Sequence, residues 1–243
     1  MNIFHTYLYQ PIFNLLVFLY NVIPGADVGF AIIALTVIIK MILWPFMNKS
    51  LQSQKALQQI QPKIEELKTK HKDNKEALAK EMMELYQQEK VNPLSSCLPI
   101  LLQLPVLIAL YQVLLNGFGA EQMSNLYPFI QNPGTMNHIF LGLVDLSKVN
   151  IVLAVLAGGF QFWQTKMMIG KQPPKEVKGT KGAQDESVLA SMNKSMMYFM
   201  PVVTVMIGAS LPGGLTLYWV TITVVSIIQQ LIVFKKKEKK EQK

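Results

Sequence analysis

The chain has 243 residues, enough for one domain; 51% are hydrophobic and only 16% charged, with a mean hydropathy of +0.27. That balance excludes an ordinary soluble domain and suits a chain for which the bilayer is solvent. The net charge of +8 rests on 23 lysines and no arginine. They sit in blocks between apolar runs, which favours a membrane face over nucleic acid. One cysteine, Cys97, leaves no internal disulfide and no cysteine-based zinc site, and His5, His71 and His138 lack metal-ligand spacing.

Met1–His5 lack the positive region of a secretory signal, and neither a small-residue cleavage site nor a lipobox cysteine follows. Residues Tyr7–Val22 are apolar and uncharged and end at a Pro24-Gly25 break. They are expected to form a helix lying on the outer surface, within an N-terminal segment 1–27; the alternative is a sixth span. The first apolar run, Val28–Met47, is about 30 Å long as a helix, the thickness of a hydrocarbon core. Segment 48–96 is different material, rich in Gln, Lys and Glu. Leu57, Ile60, Ile64 and Leu67 make one helical stripe and Leu78, Met82 and Leu85 another. Between them His71-Lys72-Asp73-Asn74 breaks the pattern, and Asp73 with Glu76 fits a capping box. The spacing predicts a cytoplasmic helical hairpin; a solvated linker helix without a partner is the alternative.

A second run, 97–116, is followed by an outer loop, 117–148, and a third run, 149–168. Segment 169–194 carries Pro173-Pro174, several glycines and alternating lysines, and reads as a flexible cytoplasmic loop. The fourth run, 195–211, is short, about 25 Å as a helix. It turns at Pro212 into the fifth, so that 212–234 holds a hairpin tip and the last span. The tail 235–243 is a run of lysines that serves as an anchor on anionic lipid or as a contact to ribosomal RNA.

Charge orients these runs. Asn48–Asn92 holds nine lysines, Lys166–Lys194 six and Lys235–Lys243 six, against only Lys148 on the other side. That asymmetry puts the N-terminus outside and the C-terminus in the cytoplasm. The expected fold is therefore an all-α integral membrane protein with five transmembrane helices, a cytoplasmic helical hairpin and an N-terminal interfacial helix.

No catalytic constellation or phosphate-binding glycine loop is present, and the spans contain no Asp, Glu or His. Neither an enzyme nor a bound cofactor is expected. The spans do contain Lys40, eight residues before Asn48 and so ~12 Å inside the membrane. A charge at that depth is costly and marks a functional site unless its stem snorkels to the interface. Other runs place polar groups at similar depth: Gln103, Gln161 and Ser226, with Thr36 one turn from Lys40. Thr216, Trp219, Thr223, Ser226 and Gln230 fall on one stripe of the last run, and Ala154, Gly158, Gln161 and Thr165 on one stripe of the third. Helix packing explains the small residues and threonines. It does not explain a lysine without an acidic partner. A water-containing cavity confined to the cytoplasmic half is the expectation, and the short fourth run would thin the bilayer beside it. An anion transporter using Lys40, or a purely structural assembly subunit, are the rival readings. Nothing in the chain resembles the inverted repeats of the former.

Asn92-Pro93-Leu94-Ser95-Ser96-Cys97-Leu98-Pro99, continuing through Gln103-Leu104-Pro105 to Ala109-Leu110-Tyr111, resembles the signature of YidC/Oxa insertases. Leu211-Pro212-Gly213-Gly214-Leu215, Leu217-Tyr218-Trp219 and Ile228-Gln229-Gln230 resemble their last-span signature, and Trp44-Pro45 with Gln61-Pro62 is similar as well. The resemblance implies a five-helix core around a hydrophilic groove that is open to cytoplasm and lipid and closed outside. It implies a groove cation at Lys40, a groove glutamine at Gln161 or Gln164, and a groove tryptophan at Trp219. It further implies that the chain inserts nascent membrane proteins into the lipid bilayer without a small-molecule substrate. SecYEG, the ribosome and the signal-recognition receptor are the expected partners. The family's groove cation is usually arginine; here a lysine offers one compact ammonium in place of a planar fork. Without a lipoprotein signal or large outer domain, the chain resembles a minimal member.

Overall fold

The computed structural model describes residues 3–25, 27–71, 74–92, 98–116, 120–168 and 197–241. The segments 93–97 and 169–196 lie outside these, and with them the Asn-Pro-to-Cys97 stretch and the expected flexible loop. A wide turn, His5–Tyr9, leads into α1, Gln10–Val22. One face of α1 buries Phe13, Leu16, Val17 and Tyr20, while Phe18 and Val22 are exposed on the other. The buried face packs on α2 and α4, so α1 is bound to the bundle along its length.

The longest helix is α2, Val28–Lys70, 43 residues and therefore roughly 65 Å. Asp27 starts it: its Oδ1 accepts from the Gly29 N–H at 2.7 Å. The sequence suggested a stop at Met47 and a separate hairpin from residue 48; the helix instead runs on through Pro45 and Pro62. A proline removes one helical hydrogen bond and crowds the carbonyl four residues back. Burial of Met47, Ser50 and Leu51 beyond the first proline, and of Ile60 and Ile64 around the second, holds the rod together.

Helix α3, Lys75–Gln88, folds back on the end of α2. Its N-cap is Asn74, whose Oδ1 accepts from Ala77 N at 3.0 Å; the expected capping residue Asp73 falls outside the described residues. Ile60 and Ile64 pack with Leu57, Met82, Leu85, Tyr86 and Val91, bringing the two stripes together. Glu81 bonds to both Lys70 and His71 at the far end of this hairpin. Partial desolvation of the Glu81 carboxyl is outweighed by these partners, and its pKa lies below the ordinary glutamate value. Exposed pairs of this kind contribute ~0–1 kcal/mol each.

The remaining helices are α4 (Leu98–Asn116), the short α5 (Ala120–Met123), α6 (Ile151–Met168), α7 (Met197–Gly208) and α8 (Gly213–Glu241). A two-stranded hairpin, β1 (Ile139–Phe140) and β2 (Val144–Asp145), precedes α6. Asn150 caps α6 by accepting from Leu153 N at 2.9 Å. Helix α8 continues through the lysines expected to form a separate tail, because Lys and Glu are good helix formers and no Gly or Pro interrupts them. Among the described residues, Val28–Lys70 and Gly213–Lys235 are long and apolar enough to cross a membrane, and Leu101–Leu115 and Met197–Gly208 are shorter apolar helices.

The starts of α2, α6 and α8 meet at one end of the bundle. Val28 N donates to Asn137 O, Val149 pairs with Pro212, and Gly213 N donates to Lys148 O. Helix α4 runs the other way, because Gly214 approaches Leu114 while Tyr218 reaches Gln103. So does α7, because Ala154 meets Gly208 while Gly158 meets Pro201 and Val205. The main apolar core lies toward the shared end and joins Phe13, Ile32, Leu35, Leu110 and Val113 to Met136 and Leu146.

Candidate functional site

The shared end is covered by residues 120–150, which form a cap. Asn14, 1% exposed on α1, holds it by two bonds: its Nδ2 donates to Asn125 O and its Oδ1 accepts from Tyr127 N at 2.7 Å, while Nδ2 also donates to Gln10 O within its own helix. The Tyr20 hydroxyl accepts from Asn137 N, and Asn21 donates to Gln131 O. Asp27 bridges helix and cap, since its Oδ2 accepts from Leu141 N at 2.9 Å. The Phe140 ring lies over Gly29, where an added Cβ would sit 2.1 Å from it. A side chain at position 29 would unseat the cap.

Away from the cap the buried groups turn polar: Lys40, Thr223, Gln229 and Gln230. Lys40 is 5% exposed, and its Nζ donates to Ser226 Oγ at 2.7 Å. The meeting follows from helix arithmetic. Lys40 and Ser226 lie ~18 and ~20 Å along two parallel helices that start together at the cap. Ser226 in turn donates to Ile222 O at 2.7 Å, so its hydroxyl relays the ammonium to the α8 backbone. Among the described residues no carboxylate pairs with Lys40. A buried ammonium retains further donors that one hydroxyl cannot satisfy.

The other polar residues singled out in the sequence have varied roles. Thr36 and Thr223 bond back to the carbonyls of Ile32 and Trp219, four residues earlier, and so satisfy themselves within their helices. Gln103 donates to the Tyr218 hydroxyl, next to the half-buried Trp219. Gln161 does not join Lys40: it accepts from the Thr204 hydroxyl across the α6–α7 seam, where Gly158 and Ala154 also pack. Gln164, three residues on, is half-buried.

Three participants were not singled out. Tyr218 and Gln229 lay inside quoted motifs, and Thr204 was an unremarked polar residue in the fourth run. Gln229, 1% exposed, donates to Trp44 O and to Asn48 Oδ1 at 2.8 Å, tying α8 to α2 three residues past the lysine–serine pair. Gln230 Oε1 is buried with no hydrogen-bond partner among the described residues.

Residues 18–241 match the family described as "60Kd inner membrane protein". A protein of Magnetococcus marinus named "Membrane protein insertase YidC" is 38% identical over 237 residues, covering 97% of this chain but 36% of the relative. A protein of the same name from Fusobacterium nucleatum is 34% identical over 233 residues, covering 95% of this chain and 98% of the relative. One from Francisella tularensis is 38% identical over 205 residues, 84% of this chain and 32% of the relative. The chain thus spans about a third of two of these relatives and nearly all of the other. By this match the chain belongs to the YidC/Oxa family of bacterial inner membrane proteins.

Proposed function

We propose that the chain is a membrane protein insertase that inserts and folds nascent membrane proteins, alone or with the Sec translocon. Helices α2, α4, α6, α7 and α8 are its five spans. The cap faces outside, and the α2–α3 hairpin and the end of α8 lie in the cytoplasm, where 21 of the 23 lysines then fall. Large apolar side chains exposed along these helices, such as Ile42, Phe46, Leu104, Val152 and Met206, suit lipid contact.

One observation carries the reading. Lys40 is buried between two parallel apolar helices with, among the described residues, only a hydroxyl for a partner, on the side of the bundle away from the cap. A site of that kind holds water and a polar guest and is not a through-pore. Lys40, Ser226, Thr223, Thr36, Trp219 and Gln103 line it, with Gln164 on the α6 wall, while Gln161 faces Thr204 on the α6–α7 seam. The cytoplasmic hairpin receives a weakly hydrophobic segment from the ribosome or its targeting receptor. Lys40 attracts the acidic or polar flank that must cross. The apolar part then slides into lipid, driven by about 25 cal/mol for each Å² of apolar surface removed from water.

The test is insertion of a single-span substrate into proteoliposomes carrying the purified chain, scored by protease protection of the translocated tail. The chain raises protection above empty liposomes, and Lys40→Ala reduces it most for acidic tails. Equal loss for acidic and neutral tails would remove the electrostatic role of Lys40. No gain over empty liposomes would remove the insertase reading.

A further inference from the structure

The turn of the cap hairpin is built against its own backbone preference. Leu143 N donates to Phe140 O at 3.0 Å, closing a four-residue turn whose central residues, Leu141 and Gly142, have φ of +54° and +71°. Such a turn favours asparagine, aspartate or glycine at both central positions. A leucine at positive φ is disfavoured, because its Cβ crowds the following carbonyl. It is nevertheless held there, with its N–H fixed by Asp27 Oδ2. Strand alternation sends Phe140 inward against Gly29 and Phe30, and leaves the two tip leucines outside. Leu141 is 59% exposed and Leu143 86%. Their side chains therefore contribute nothing to the core, and the backbone would be easier to form without Leu141.

We propose that the Leu141-Gly142-Leu143 tip is a membrane anchor that seats in the headgroup–acyl boundary of the outer leaflet and fixes the height of the cap on the bilayer. Two observations select lipid as the occupant. The hairpin stands at the common start of α2, α6 and α8, which is where the apolar helices meet the bilayer edge. Beyond the Lys148–Asp145 pair, Val149, Ile151, Val152 and Val155 also form an exposed apolar strip at the start of α6, with no charge between Val149 and Val155. A rigid tip carrying only aliphatic side chains and no hydrogen-bonding side-chain group suits an unstructured acyl surface better than a specific protein contact. The inference rests on the membrane placement proposed above and adds a lipid contact to it.

The experiment uses the full chain with Cys97→Ser and one new cysteine, at Leu143, Thr135 or Val155, labelled with an environment-sensitive fluorophore. Each protein is reconstituted in vesicles of phosphatidylethanolamine and phosphatidylglycerol. Quenching is compared between lipids bearing a nitroxide near the top of the acyl chain and iodide present on both sides of the membrane. Leu143→Cys should lose fluorescence to the lipid nitroxide, as Val155→Cys does, and resist iodide; Thr135→Cys, exposed in the same cap, should show the reverse. Quenching of position 143 by iodide alone overturns the anchor while leaving the membrane placement intact. Protection of position 143 from both quenchers overturns it in favour of a protein contact. Loss of lipid quenching at Val155 as well overturns the membrane placement and the anchor together. Both Leu143 and Thr135 are exposed, so neither substitution threatens the fold.

Discussion

Replacing Gly158 by alanine puts a methyl group into the α6–α7 seam. The new Cβ would lie 2.4 Å from Val205 Cγ2 and 2.9 Å from Pro201 O, where carbon contacts are comfortable near 3.5–4.0 Å. The valine has little rotamer freedom and the proline oxygen is backbone, so α7 must retreat by about 1 Å. That movement strains the Thr204–Gln161 bond. Overpacking of this kind costs about 1–3 kcal/mol. Alanine recovers about 0.8–1 kcal/mol over glycine through helix propensity, leaving a net loss of about 0–2 kcal/mol. Gly159 supplies the control, because a Cβ there meets nothing within 4 Å. Gly159→Ala should keep the propensity gain alone, so the two variants should differ by about 1–3 kcal/mol. Reversible unfolding in mixed detergent, followed by tryptophan emission, measures that difference. Equal stability of the two variants, or a less stable Gly159→Ala, would refute the close seam. Val205→Ala added to Gly158→Ala should recover part of the loss, since the proline oxygen remains in the way.

Two further outcomes follow from the cap. Asn14→Leu leaves the partly buried Tyr127 N–H without its acceptor, which costs at most about 1–3 kcal/mol; thermal unfolding should register the loss, and amide exchange at Tyr127 should accelerate. The Ser147 hydroxyl, Lys148 and the Ser147 N–H hold the Asp145 carboxyl at about 2, below its ordinary 3.8. A depressed carboxyl pKa stabilises the folded cap above the ordinary value, and the contribution disappears as pH falls from 3.8 through about 2. Carboxyl-carbon NMR should show that midpoint, with Ser147→Ala raising it; a native midpoint near 3.8 would contradict the geometry.

Much of this architecture was legible because its causes are local. Apolar runs and lysine blocks marked the helices; the caps at Asp27 and Asn150, equally local, were not read from the sequence. One pairing followed from residue counting too. Lys40 lies eight residues before Asn48 and Ser226 eight before Phe234, and the structure brings those two side chains together. The failures came from contacts far apart in sequence. The change of composition at residue 48 does not say that α2 continues; burial against α8 and α3 carries the helix through Pro45 and Pro62. Asn14 looks like an isolated polar residue in an apolar helix until Asn125 and Tyr127 fold over it. Gln161 is expected at the depth of Lys40, yet rotation about α6 turns it to Thr204; counting residues along a helix does not give the neighbour.

The central claim is that a buried cation at position 40 serves insertion. Its most direct test is growth of insertase-depleted bacteria carrying the wild-type chain or its Lys40→Ala, Lys40→Arg and Lys40→Glu forms, with membrane levels matched by immunoblot. The account predicts rescue by the wild type and by Lys40→Arg, and failure of Lys40→Ala and Lys40→Glu. Rescue by all four would contradict it, leaving an insertase in which Lys40 only reaches for the interface.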